Sequence, residues 1–452
     1  MIYESNTQRY GNFVLSPNGP LHGEIDAGGA KNSVLKLMAA CLLAEGTNVL
    51  QNVPYIQDVV IMSELLEAIG AKVYRRGQNR ANYGMDIRES DQSANDDLVI
   101  ETPAAILPEA PYELVEKIRA SIVVLGPLVG RIGKAKLPLP GGDDFGERPV
   151  DMHIDSLSLM GAQFISTHGY IEATAPKGRL SGNRVVLEYP SHTATDNILM
   201  AAVLADGITI IENAAREPEV VDLATMLLSM GAKIKGAGTS RVIIEGVSTL
   251  HPATHRAIAD RVVAATFASA VGIAGGDVII RDAQMDHMDM VVRKMTQIGL
   301  HISHSRSQSY PGIRISKDEG TRLHSVDVST LPYPGVATDY APFIVTMLSI
   351  ADGVGIVSEN LFSGRFRYVD ELIKLGANIS TEGHHAVVRG VDRLQGTLVK
   401  APDIRGGAAL VLAGLVADGE TVVTNTMHID RGYEDFAGKL ASLGANIQIQ
   451  GV

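Results

Sequence analysis

One cysteine, Cys41, stands in 452 residues, and there is no tryptophan. A single thiol excludes an internal disulfide and any C-x-x-C metal site. Cys41 lies in the apolar run LKLMAACLLAEG, so it is expected to be a buried, inert thiol. Basic charge is also scarce: 39 Lys and Arg face 51 Asp and Glu, a net charge of −12. That balance argues against nucleic acid or an anionic membrane surface as partner, although a small anion can still be held by a local cationic cluster. Long apolar runs are missing. The longest, ASIVVLGPLVG and AALVLAGLVA, are about half of the roughly 20 residues a membrane span needs. The first twenty residues include Glu4, Arg9 and Asn12 and contain no apolar stretch of secretory type, so a cytoplasmic location is expected. There is no H-E-x-x-H, no G-x-S-x-G and no carboxylate cluster with metal-ligand spacing. Neither a metal nor an organic cofactor is expected, nor an obligate protein partner.

What is present is repetition. Six segments end alike: ELLEAIGAKV, DSLSLMGAQF, TMLLSMGAKI, RKMTQIGLHI, ELIKLGANIS and GKLASLGANI. Their glycines are Gly70, Gly161, Gly231, Gly299, Gly376 and Gly444, spaced by 91, 70, 68, 77 and 68 residues. LLAEGTNVLQN, VLADGITIIEN, SIADGVGIVSEN and LVADGETVVTN each read as a helix end, a glycine turn and a β-branched strand. In the third copy Val220, Leu223, Leu227 and Met230 form one apolar helical stripe, and Gly231 is suited to a left-handed C-cap. Units of about 70 residues mixing helix and strand predict two similar α/β lobes of three units each, with a ligand cleft between them.

Positive charge recurs at one place in these units. The loop between strand and second helix carries Arg148, Arg216, Arg365 or Arg431 in four of the six copies, and Pro149 and Pro218 occupy positions suited to helix N1. Helix N-termini favour anions, and an adjacent guanidinium adds a planar fork for phosphate or carboxylate. Lys31 and Asn32 follow two glycines at a helix start, in an order that is not a P-loop, and Arg405 follows Asp403 in a similar setting.

With GGAKNS, KIRASIVVLGPLVGR, LPLPGG followed by RPVDMH, ENAAREPEVVD, ATD, ENLFSGRFRYVDEL, LVLAGLVADG and HIDRGYED in this order, the chain resembles the enolpyruvyl transferase family nearly end to end. The likeness is to its UDP-N-acetylglucosamine 1-carboxyvinyltransferases and, more distantly, to EPSP synthases. It implies a two-lobed inside-out α/β barrel of six repeated βαβαββ-type units, with the active site in the interdomain cleft. The implied domains are 31–258 for one lobe, and 1–30 with 259–452 for the other. It implies phosphoenolpyruvate bound by Lys31, Arg148, Arg405 and Arg431, and a uridine nucleotide as acceptor. Asn32, Arg119, Pro149, Val150, Asp151, Met152, Ser191, His192, Thr193, Asp339 and Leu361 would surround that acceptor, with Asp339 placed to take the hydroxyl proton. Arg365 and Asp403 would support domain closure.

Two positions depart from the family pattern. The loop residue after Pro-Gly-Gly is Asp143 rather than cysteine, so a carboxyl would serve as the acid and fosfomycin would find no loop thiol. The usual Ser-Val-Gly-Ala-Thr reads Ser191-His192-Thr193-Ala194-Thr195, which adds bulk where glycine permits close backbone approach. This substitution favours UMP as acceptor, as in nikkomycin- and polyoxin-type nucleoside antibiotic pathways. The alternative is UDP-N-acetylglucosamine, in peptidoglycan synthesis. A lesser alternative is a ligand sensor that lost catalysis. RNA 3′-terminal phosphate cyclases share related repeats, but the acidic balance speaks against them.

Overall fold

The computed structural model describes residues 11–76, 97–141, 150–167, 169–305 and 311–451. The chain divides into two compact units, with crossings after Gly28 and after Ile258. At the first crossing the division falls two residues before Lys31, because Ala30 N donates to Ile258 O at 2.8 Å within the unit that follows Gly28. Asp260 N donates to Gly28 O at 2.9 Å within the other.

In the unit spanning 29–258, three helices lie inside: α1 (Lys31–Ala40), α2 (Leu125–Ile132) and α3 (His192–Ala202). In the unit formed by 11–28 and 259–451 the corresponding helices are α4 (Arg261–Ala274), α5 (Ala341–Ser349) and α6 (Ile404–Gly414). These helices are buried along almost their whole length, as Leu-, Val- and Ala-rich stretches such as GGAALVLAG demand, although α1 and α3 also bury polar side chains. The helices ending in the repeated glycines are amphipathic instead. In Pro218–Ser229, Val220, Leu223 and Leu227 are fully buried while Leu228 and Ser229 turn outward.

The sheets wrap outside the helices, three to each unit. Five of the six described sheets repeat one plan. An edge strand pairs in parallel with the next strand, and two further strands follow antiparallel; the edge strand is two or three residues long except for Leu21–Asp26, which has six. In one case Arg184–Val186 pairs parallel with Ile208–Glu212, which pairs antiparallel with Arg241–Glu245, and that with Lys233–Lys235. In the sixth sheet a single parallel bridge, Glu109 to Lys136, stands where the edge strand would be. Strand alternation is regular: in Arg241–Glu245 the side chains of Val242 and Ile244 are buried and those of Arg241 and Glu245 exposed.

All six repeat glycines, from Gly70 to Gly444, take positive φ between 90° and 123°. The strand ends carry a second signature. Asn52, Asn213, Asp282 and Asn425 are left-handed non-glycine residues immediately after their strands, a conformation that Asn and Asp tolerate best. His384 occupies a turn and His385 opens the strand His385–Arg389; both are exposed.

Candidate active site

The unit containing 259–451 gathers charge at the N-terminal ends of α4, α5 and α6. Asp403 is the N-cap of α6, its Oδ1 accepting from the backbone N of Arg405 and of Gly406 at 2.9 Å each. This cap orients the first turn and so places Arg405. Arg405 is 4% exposed, its Nε lies 3.6 Å from Asp339 Oδ2, and its guanidinium stacks over the Tyr433 ring at 5.1 Å. Its Nη1 is buried with no hydrogen-bond partner among the described residues. Arg365, 2% exposed, donates from Nη2 to Asp339 Oδ1 at 2.8 Å. Burial disfavours both guanidinium charges, yet nearby partners outweigh it: the carboxylates of Asp339, Asp403 and Glu359 for Arg365, and the Tyr433 hydroxyl with the carboxylates of Asp339 and Asp260 for Arg405. Both are held above the ordinary guanidinium range. Asp339 is thus a part-exposed carboxylate braced by two buried cations.

Sequence reasoning missed three members of this cluster. Arg261, third after the crossing, is buried beneath Tyr333 and donates to the Tyr340 hydroxyl at 3.2 Å. Its signal was available, because Asp260 caps α4 as Asp403 caps α6. Glu359 is fully buried and accepts from Thr330 Oγ1, Thr338 Oγ1, Leu361 N and Phe362 N at 2.7–3.2 Å. It therefore ties the residue before Asp339 to the loop that carries Leu361. Tyr433, the platform under Arg405, shares a hydrogen bond with Thr266 at 2.9 Å. Arg431 caps the short helix Met427–Asp430 and is half-buried.

In the unit spanning 29–258, Lys31 is the first residue of α1 and pairs with Asp58 at 2.8 Å. Asn32 follows it, half-buried. Ser33 donates to Asp222, whose other oxygen lies 2.7 Å from His255 Nε2. That network pins the first turn of α1. Ser191 caps α3, accepting from Ala194 N at 3.3 Å, with Thr193 Oγ1 3.4 Å away. His192 is the first residue of α3, and Lys36 Nζ reaches its Nδ1 at 2.9 Å.

Arg119 opens the 3₁₀ turn Arg119–Val124 and donates to Pro140 O at 3.2 Å. Val150 is the N-cap of Asp151–Leu159; Asp151 is exposed, its Oδ1 accepting from Met152 N, and Met152 is half-buried. Asp143, Arg148 and Pro149 lie outside the described residues. Arg216, grouped by sequence with Arg365 and Arg431, is exposed and pairs with nothing among the described residues. No group of three or more His, Cys, Asp or Glu side chains among the described residues is arranged to hold a metal ion. Among the described residues no helix is long and apolar enough to cross a membrane.

Comparison with known proteins gives this arrangement a context. The family model described as EPSP synthase (3-phosphoshikimate 1-carboxyvinyltransferase) matches residues 15–440. Proteins named UDP-N-acetylglucosamine 1-carboxyvinyltransferase from Nocardia farcinica and Mycobacterium bovis are each 47% identical over 436 residues, covering 96% of this chain and 98% of theirs. Among solved structures, the enolpyruvyl transferase NikO from Streptomyces tendae superposes with a TM-score of 0.83 at 22% identity, over 98% of this chain and 99% of that one. An EPSP synthase from Acinetobacter baumannii gives 0.72 at 18% identity, over 97% of this chain and all of that one. The interior helices with sheets outside are the inside-out α/β fold of these enzymes. The chain belongs to the EPSP synthase and enolpyruvyl transferase family, and is a carboxyvinyl-transferring enzyme.

Proposed function

We propose that the chain moves the enolpyruvyl group of phosphoenolpyruvate to a hydroxyl of UDP-N-acetylglucosamine and releases inorganic phosphate. The observation that carries the choice of acceptor is the 47% identity, along 96% of the chain, with relatives bearing that name. It reverses the preference that His192 and Thr193 raise at the level of sequence. The acceptor oxygen adds to C2 of the enol while a proton is delivered to C3, giving a tetrahedral phospho-ketal. Loss of a proton from C3 and cleavage of the C2–O bond to phosphate then restore the double bond. No electron is exchanged, and what the steps require is an acid, a base and fixed cations.

Asp339 is the proposed base for the hydroxyl proton, with Arg365 and Arg405 as its braces. Arg405 keeps a buried N–H with no partner among the described residues, and together with Lys31, Arg148 and Arg431 it would hold the phosphate and carboxylate of phosphoenolpyruvate. Asp403 acts by capping α6, and Asp143 is the proposed acid. Asn32, Arg119, Val150, Asp151, Met152, Ser191, Thr193 and Leu361 would line the acceptor. The proposed location is cytoplasmic.

A second reading, UMP as acceptor, is favoured by His192 standing on the Ser191–Thr193 segment with a partner in Lys36. Phosphate release from phosphoenolpyruvate with each nucleotide tests the choice. The expected result is a kcat/KM at least tenfold higher with UDP-N-acetylglucosamine; the reverse ratio assigns UMP.

A further inference from the structure

Lys36 and Asp196 are a lysine and an aspartate where α1 and α3 are otherwise interior. Lys36 is 3% exposed and Asp196 fully buried, with Nζ lying 2.9 Å from Asp196 Oδ2. The contact is an ion pair rather than an aligned hydrogen bond, and neither Asp196 oxygen has a hydrogen-bond partner among the described residues. Burying two charges with so little hydrogen bonding is poor economy for stability, since a well-packed apolar pair commonly does as well or better. The ammonium does direct one hydrogen bond, to Nδ1 of His192 at 2.9 Å.

Donor chemistry then settles the state of that ring. An ammonium has three N–H donors and no lone pair, so His192 Nδ1 must be the acceptor. With Nδ1 accepting from the ammonium, Nε2 is the ring's N–H donor; Asp196 Oδ2 also lies 3.9 Å from Nδ1. His192 and Asp196 are one turn apart on α3, and Asn32 and Lys36 one turn apart on α1, so each pair shares a helix face. The imidazole side chain remains 41% exposed although its base is held from within.

We propose that Lys36, neutralised by Asp196, is a positioning residue that fixes His192 as an Nε2–H donor for a phosphate oxygen of the acceptor nucleotide. The inference rests on the reading above that Ser191–Thr193 line the acceptor, and it holds for either nucleotide, because UMP and the UDP-sugar share a uridine phosphate. It makes this segment a selector for the acceptor and leaves the handling of phosphoenolpyruvate to other residues.

The test uses the full-length enzyme and four variants: His192→Leu, His192→Gln, the charge-free pair K36M/D196L, and that pair combined with His192→Leu. Dissociation constants for UDP-N-acetylglucosamine and for UMP are measured by calorimetry, with KM for phosphoenolpyruvate measured alongside and folding checked by circular dichroism. Expected is a roughly tenfold weaker nucleotide Kd for His192→Leu and for K36M/D196L, with no further loss when the two are combined. His192→Gln, which keeps an N–H donor, stays within about threefold, and KM for phosphoenolpyruvate within about twofold throughout. A folded K36M/D196L with wild-type Kd, while His192→Leu is weakened, overturns the role of Lys36. An unchanged Kd in His192→Leu, or binding of neither nucleotide by the wild type, overturns instead the placing of the acceptor.

Discussion

His153 is a buried imidazole whose Nδ1 accepts from Asn197 Nδ2 at 2.8 Å, while Asn197 Oδ1 accepts from Gly126 N at 2.7 Å. Burial, and then the charge of Arg119, push its pKa down from 6.5 to about 4. The unfolded chain takes up this proton below about pH 6.5 and the folded chain only near 4. The stabilisation is therefore complete above 6.5 and is lost as pH falls toward 4. Between pH 7.5 and 5 the wild type is expected to lose about 2 kcal/mol more unfolding free energy than His153→Gln, read from urea titrations. Parallel losses in the two proteins would refute the assignment. Cys41 gives a second residue-scale expectation. It is fully buried, its thiol pushed well above the ordinary range by burial. As the chain's one thiol, it offers fosfomycin no thiolate. Activity is expected to survive prolonged incubation with fosfomycin, and Asp143→Cys to become inactivated over time; time-dependent loss in the wild type would contradict this. Asp339→Asn, which keeps shape and removes the base, is expected to lower kcat/KM by roughly 10²–10⁴ in phosphate release. At this scale Arg405 and Lys31 were legible as charged residues in helix-start phrases, and Asp339 only through the family resemblance. Lys36, Asp196 and Glu359 were not, because one chain position does not reveal which helix it will face.

At the scale of elements, glycines of positive φ divide by what surrounds them. Gly276 has φ +117°, and a Cβ there would lie 1.9 Å from Leu21 O of the parallel strand. Gly161 has φ +99° with nothing within 4 Å of a Cβ. Gly161→Ala is expected to cost about 1 kcal/mol, the penalty of the left-handed backbone alone. Gly276→Ala is expected to cost about 3 kcal/mol or more, since the strand Gly276–Arg281 must move away from Leu21–Asp26. Thermal unfolding of the two variants checks the order, and equal shifts would count against it. The helix–glycine–strand rhythm was readable because hydrophobic period and turn chemistry are local. The short parallel edge strands were not. Arg184–Val186 and Leu398–Lys400 are three residues each and are strands only because Ile208–Glu212 and Thr421–Thr424 pair with them in parallel.

For the whole molecule, each unit has its own apolar core. One is drawn from residues 34–257, the other from 13–27 together with 259–447. The second depends on the chain's beginning. Asn12–Ser16 lies between Thr421–Thr424 and Asn446–Gln450 in one sheet, and Leu21–Asp26 is the parallel partner of Gly276–Arg281 in another. A fragment of residues 29–258 is expected to fold on its own with a cooperative urea transition, whereas 259–452 is expected to remain unfolded unless residues 1–28 are supplied. A cooperative transition in 259–452 alone would show that the central strand is dispensable.

The sequence by itself determined the repeats, the glycine turns and the residue types that suit a polyanionic substrate, since each rests on spacing and residue type along the chain. Only the tertiary structure decided which charges meet: Arg365 and Arg405 on Asp339, Thr338 on Glu359, and Lys36 between Asp196 and His192. Those partners lie 21 to 160 residues apart, and a burial that forces an ion to find its counter-ion is a property of packed helices, invisible along the chain.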